Sequence, residues 1–291
     1  MHSSLLVLTI VVATVWRWRW RPCDGAWPVR WESALSAFCL PPLMIVLAAV
    51  AVLSMGHHGT MIGQAVSPVG CWVSLGILFF AAGVLAYALG QAVRTAWGLR
   101  QYAVVSLPQG AQARCLPIDL PLAAQVGLWR SSLLVSRGWL EQLTASEQQA
   151  MLAHEQAHAD HRDPFWFFWL GVVRRFTSWL PNTEALWEEL LLLRELRADR
   201  QAANTSDPLV LAELLVKLAR QMALTTHSQF SEHWLETGVG FNQALSLTRL
   251  EQRVNALVAP DTEVKISEQR QVRLTWLMVA MLPLAVTWLH T

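Results

Sequence analysis

The stretch MLAHEQAHADHRDP, residues 151–164, crowds three histidines, a glutamate and two aspartates into one short segment. His154 and His158 are four residues apart, so on a helix they share a face and two imidazoles can reach one ion. Glu155 is the next residue round from His154, placed to touch a water near that ion without ligating it. This is the H-E-x-x-H logic of zinc hydrolases. The helix has a readable start: Thr144 with Glu147 three residues on is a capping-box pattern, which predicts a first turn near Ala145.

A catalytic zinc site takes three protein ligands and leaves a fourth position open. LLLRELRADRQA (191–202) offers the third, on a helix expected to begin after PNT (181–183). Taken alone, Glu195 and Asp199 are equally well read as partners of Arg194, Arg197 or Arg200 on a solvated face. Two such helices in this order favour the metal reading. The expectation is one zinc ion per chain held by His154, His158 and Glu195, with Asp199 orienting a histidine ligand from behind. Glu155 is then the general base, taking a proton from water and passing it to the leaving amine. His161 is expected to stay off the ion, Asp160 to end its helix and Asp163 to cap the next. For oxyanion stabilisation or support of the site, His227, His233 and Arg253 remain, since Tyr87 lies in an apolar run.

The elements that must position these residues are unusual for a soluble protein. The chain has 291 residues, a net charge of +1, 15% charged residues and a mean hydropathy of +0.33. Soluble domains carry about 25% charged residues, so a membrane protein is expected. Near-neutral charge leaves no footprint for nucleic acid. Cys23, Cys39, Cys71 and Cys115 match no zinc knuckle or redox pair and read as small hydrophobes.

Four apolar stretches are candidate spans: 5–16, 33–56, 69–93 and 274–290. The first reads as a retained anchor, not a signal peptide, because its leader lacks a basic residue and WRWRWRP stands where a small-residue cleavage site belongs. Arg17, Arg19, Arg21 and Arg30 place the first loop in the cytoplasm, and Arg94 and Arg100 return the chain there. The expected division is three transmembrane helices over 1–97, a cytoplasmic metallopeptidase domain over 98–272 and a last transmembrane helix over 273–291. Nearby tryptophans suit an interfacial belt. PFWFFWLGVV (164–173) is too short to span and ends in Arg174-Arg175; a crossing there would part Glu195 from the histidines. Within the domain, YAVVSL (102–107) and SSLLVS (131–136) read as strands.

HEQAHADHRDP, followed by E-x-x-A-D from Glu195, resembles the gluzincin arrangement of membrane metallopeptidases. The pattern is similar to the BlaR/MecR-type antirepressor peptidases and, more distantly, to HtpX-type and CAAX-prenyl-type endopeptidases. SWLPNTEALW (178–187) is similar to an aromatic-Asn-Pro-x-x-Trp turn of the antirepressor group, with Pro181 and Asn182 inverted. The resemblance covers most of residues 125–258. It implies a mainly α chain, with multi-pass membrane helices and a zincin-like α+β metalloprotease domain with a small sheet. It also implies a bacterial inner-membrane location and cleavage of a protein or peptide, a cytoplasmic repressor among the candidates. In those families the strand equivalent to SSLLVSRG (131–138) is a sheet edge that can pair with substrate; the competing use is a buried strand that holds the helix. The other readings are a quality-control protease of HtpX type and a catalytically inactive membrane scaffold. The antirepressor sensors carry a penicillin-binding domain after their fourth helix, and no such domain is expected here.

Overall fold

The computed structural model describes residues 2–23, 25–55, 60–61, 64–65, 68–107, 110–225 and 247–258. The fold is mainly helical with a small mixed sheet. The expected last span (274–290), His227 and His233 lie outside the described residues.

The described residues form two compact units. One gathers those up to Tyr87 together with Leu170–Leu190; the other gathers Ala88–Trp169 and the residues from Leu191 to Val258. The linear division expected from the sequence therefore misses that Leu170–Leu190 belongs with the N-terminal helices.

In the first unit α1 (His2–Arg19) packs on α2 (Trp27–Met55) through small residues, with Ala48, Ala49 and Val52 of α2 against Leu6 of α1. A two-residue hairpin, β1 (Thr60–Met61) with β2 (Gln64–Ala65), precedes α3 (Pro68–Leu99). Among the described residues, two helices are long and apolar enough to cross a bilayer, α2 with 29 residues and α3 with 32. Those lengths correspond to roughly 44 and 48 Å, against a hydrocarbon core of about 30 Å. Helix α1 has 18 residues, and its last turn carries Arg17 and Arg19, so it falls short of that test.

Pro41 and Pro42 lie inside α2. Without an N–H, Pro42 cannot donate to the Phe38 carbonyl one turn back. Arg17 does so instead: its Nη2 lies 2.8 Å from Phe38 O. The guanidinium is fully buried, also donates to Thr183 Oγ1 at 2.9 Å and Thr177 Oγ1 at 3.2 Å, and stacks 5.0 Å from the Phe38 ring centre. The PNT turn supplies Thr183, and Thr177 lies four residues before it. Asn182 adopts a left-handed φ of 57°, its Nδ2 caps the Arg17 carbonyl at 2.8 Å, and its own carbonyl accepts from Leu186 N to start α7 (Thr183–Ala203).

The second unit carries a four-stranded sheet in the order β3 (Val104–Ser106), β4 (Gln112–Leu116), β6 (Ser132–Ser136), β5 (Ala123–Val126). β3–β4 and β5–β6 pair antiparallel, β4–β6 parallel. The strand expected at the edge, SSLLVS, is therefore interior. β4 covers one side of it and β5 the other, and neither QARCL nor AAQV has the β-branched alternation that announces a strand. β5 is the edge on that side. Ser136 then turns the chain: its Oγ accepts from Leu122 N and Trp139 N and donates to Leu120 O, starting α4 (Arg137–Gln142). Gly138 sits so close to the Asp119 carbonyl that a Cβ would lie 1.9 Å from its oxygen; only glycine fits this crossing. Val135, Trp139, Met151, Leu152, Leu214 and Leu218 form the core beneath the sheet. They join α4 and the sheet to α5 (Ala145–Asp160) and α8 (Pro208–Thr225).

Candidate metal centre

α5 begins where the sequence predicted. Thr144 is the N-cap, its Oγ1 accepts from Glu147 N at 3.3 Å, and Glu147 Oε2 accepts from Thr144 N at 2.8 Å. With the start fixed, the four-residue spacing puts His154 and His158 on one buried face, with their Nε2 atoms 3.1 Å apart. Glu195 of α7 meets them: Oε2 is 3.4 Å from His154 Nε2 and Oε1 is 3.6 Å from His158 Nε2. Glu195 thus faces both rings.

These three side chains could hold a metal ion. The spacing fits one: bonds of about 2.0–2.1 Å at tetrahedral angles put neighbouring ligand atoms roughly 3.3–3.4 Å apart. Glu155, Asp163, Glu195 and Asp199 face the guanidiniums of Arg194, Arg197 and Arg253.

Each imidazole has a carboxylate behind it. His158 Nδ1 is 2.7 Å from Asp163 Oδ2, and Arg197 donates to the other oxygen of Asp163. This link depends on a two-residue exit from α5: His161 caps the helix and Arg162 takes a left-handed φ of 53°, which turns Asp163, the first residue of α6 (Asp163–Phe176), back onto the ring. His154 Nδ1 is 2.8 Å from Asp199 Oδ1, short in distance but out of line for a straight hydrogen bond. Asp199 is gripped by Arg253, Nε to Oδ2 at 2.7 Å and Nη2 to Oδ1 at 2.8 Å, and Arg253 Nη1 lies 3.3 Å from Glu195 Oε2. Arg253 comes from α9 (Leu247–Val258). Both ends of its guanidinium are engaged with carboxylates, so it supports the centre and is not placed to meet an oxyanion. His161 faces outward, its Nε2 3.0 Å from Gln201 Oε1, as the sequence suggested.

The ionisation states follow from this packing. Burial would lower the His154 pKa, but Asp199 and Glu195 outweigh it and push the imidazole up to about 10. Burial would likewise raise Glu195, yet Arg194, Arg253 and His158 hold it well below the usual carboxylate range. Asp199, buried too, is kept below its ordinary value chiefly by Arg253. Glu155 differs. Burial pushes its carboxyl above the ordinary range, and Glu195 adds to this against the pull of the two imidazoles.

The backbone of Gln125 in β5 lies against Glu155 and draws its carboxyl partway back down, which sets the edge strand beside the centre. Because Ser136 N donates to Leu122 O across the β5–β6 ladder, Ala124 and Val126 turn their peptide groups toward β6. Ala123 and Gln125 turn theirs away from β6; Ala123 is buried, while Gln125 is half-buried on the side that no other described strand covers.

The contacts that sequence reasoning missed are Asp163 behind His158 and the Gln125 backbone beside Glu155. Asp163 was visible as a helix cap, and that role placed it correctly in the chain but hid its partner. Arg194 and Arg197 do pair with carboxylates, as the competing reading held, but with carboxylates of the buried cluster. No protein-family model matches this chain, and no curated protein matches it.

Proposed function

We propose that the chain is a membrane-bound, zinc-dependent endopeptidase of the gluzincin type. The observation that carries this reading is the convergence of His154, His158 and Glu195, with the buried Glu155 beside the open edge of β5. A donor set of two imidazoles and a carboxylate suits zinc among the common metals. When bound, zinc supplies Lewis acidity toward a carbonyl and toward water.

The chain's own residues do the rest. Asp163 and Asp199 hold the two rings in orientation. The backbone of Gln125 lies against the Glu155 carboxyl at the strand edge. Glu155 accepts the proton of the attacking water and returns it to the leaving amine. The carbonyl of Gln125, which points away from β6, offers backbone pairing to an extended peptide, which reads main chain and so selects sequence weakly.

Helices α2 and α3, and the exposed apolar side chains of α3 such as Trp72 and Phe79, support anchorage in a bilayer. We place the centre on the cytoplasmic side of a bacterial inner membrane, with a cytoplasmic protein such as a repressor as substrate. The test is Glu155→Gln in the full chain. The variant keeps its zinc and loses peptide cleavage by at least about a hundredfold; comparing the proteomes of cells carrying each form reveals the substrate. Undiminished cleavage by the variant refutes the reading.

A further inference from the structure

Among the exposed tryptophans of the second unit, three come together: Trp129 is 80% exposed, Trp166 58% and Trp169 37%. They are not scattered. The Phe165 ring lies 5.4 Å from Trp129, 5.2 Å from Trp166 and 6.3 Å from Trp169, and Phe168 lies 5.4 Å from Trp169. Together they make one aromatic shelf. Large apolar side chains left in water as a contiguous group mark a surface that something covers.

Two chain connections tie the shelf to the centre. On one side, Gln125, whose backbone lies against Glu155, is followed four residues on by Trp129. Gly127 fixes the turn between them: its φ is 129°, and a Cβ there would meet Arg130 O at 2.3 Å. On the other side, Asp163, bonded to His158, is followed two residues on by Phe165. Trp129 therefore lies just past the end of β5, its backbone within about 13 Å of Gln125.

We propose that this shelf is a substrate subsite that selects an aromatic or large apolar side chain in an extended peptide paired on β5. The inference rests on the hydrolase reading and adds what it lacks: a source of side-chain selectivity beside an edge that reads only backbone. Antiparallel pairing is the more stable arrangement. It runs the peptide's N-terminal side toward Trp129, so the selected residue lies about three to four residues before the bond that is cut. Trp129 and Trp166 grip that side chain by stacking, with Phe165 beneath them.

The test is binding, in the zinc-loaded full chain carrying Glu155→Gln, so that nothing is consumed. The probes are fluorescent Ala/Ser decapeptides with a single Phe walked along the sequence. The expected result is one Phe position that binds about three- to tenfold tighter than the Phe-free peptide, an advantage abolished by Trp129→Ala and by Trp166→Ala. Both side chains are mostly in solvent, and circular dichroism of each variant checks that the fold is kept. An advantage that survives both substitutions overturns the inference, as does the lack of any preferred Phe position. So does a shelf that proves to be a lipid contact, seen as loss of binding to phosphatidylglycerol vesicles with peptide preference unchanged. None of these outcomes bears on cleavage. The hydrolase reading fails separately, on the Glu155→Gln cleavage assay.

Discussion

Asp199→Asn probes the support of the centre with little change of shape. Asp199 stands between His154 and Arg253, and asparagine keeps its volume and one carbonyl oxygen while removing its charge. Arg253, 3% exposed, would lose its two-point grip on a carboxylate and retain Glu195 Oε2, 3.3 Å from its Nη1. Breaking a buried ion pair from one side costs about 3–5 kcal/mol, and the surviving Glu195 contact puts this case at the lower end. A loss of about 3 kcal/mol is a large share of a total stability of about 5–15 kcal/mol. For a chain of this size it corresponds to a fall in Tm of roughly 6–12 °C. Adding Arg253→Met removes the stranded guanidinium and should restore most of that loss. Zinc affinity should behave differently: it falls about 10- to 100-fold in Asp199→Asn and is not recovered by Arg253→Met, because His154 still lacks its carboxylate. Thermal unfolding followed by circular dichroism in detergent gives the first quantity, and chelator competition gives the second. If Asp199→Asn melts with the wild type, or the double variant is no more stable than the single, the assigned coupling is wrong.

Two further outcomes follow from other features. In metal-stripped protein His154 titrates near 10, against its ordinary 6.5, so zinc must displace a proton. Apparent zinc affinity should then rise about tenfold per pH unit up to about pH 10. A raised folded pKa gives a stabilisation fully present below the unfolded value and lost as pH rises through the folded one. The stripped protein should therefore lose stability between about pH 6.5 and 10 while the zinc form does not; melting curves across that window check it. In the first unit, Arg17→Met should destabilise the wild-type chain more than a Pro42→Ala chain. An alanine in place of Pro42 restores an N–H for the Phe38 carbonyl that Arg17 now serves, and a double-mutant cycle by thermal unfolding measures the difference.

What the sequence revealed was local and periodic. Thr144 and Glu147 declared where α5 begins, and helical spacing alone then put His154 and His158 on a shared face, with Glu195 and Asp199 in similar register on α7. What it hid depended on turns and on distance along the chain. Asp163 reaches His158 because Arg162 takes a left-handed backbone that arginine seldom adopts. Arg253 reaches Asp199 from 54 residues away, with no spacing rule to announce it. β5 is built on Ala123, Ala124 and Gln125, which give no strand signal; of the two uses open to SSLLVS, a sheet edge by resemblance or a buried strand holding the helix, the interior position of β6 fits the second. In the helical unit, the apolar runs announced α2 and α3, but nothing in the sequence signalled that a fully buried Arg17 would complete the helix its prolines interrupt.

The central claim is that one zinc ion is held by His154, His158 and Glu195. Metal analysis of the purified full chain, combined with X-ray absorption at the zinc edge, tests it most directly. The account predicts one zinc per chain in a shell of nitrogen and oxygen at about 2.0–2.1 Å, lost in both His158→Ala and Glu195→Ala. A chain without zinc, or one whose zinc persists undisturbed in Glu195→Ala, contradicts it.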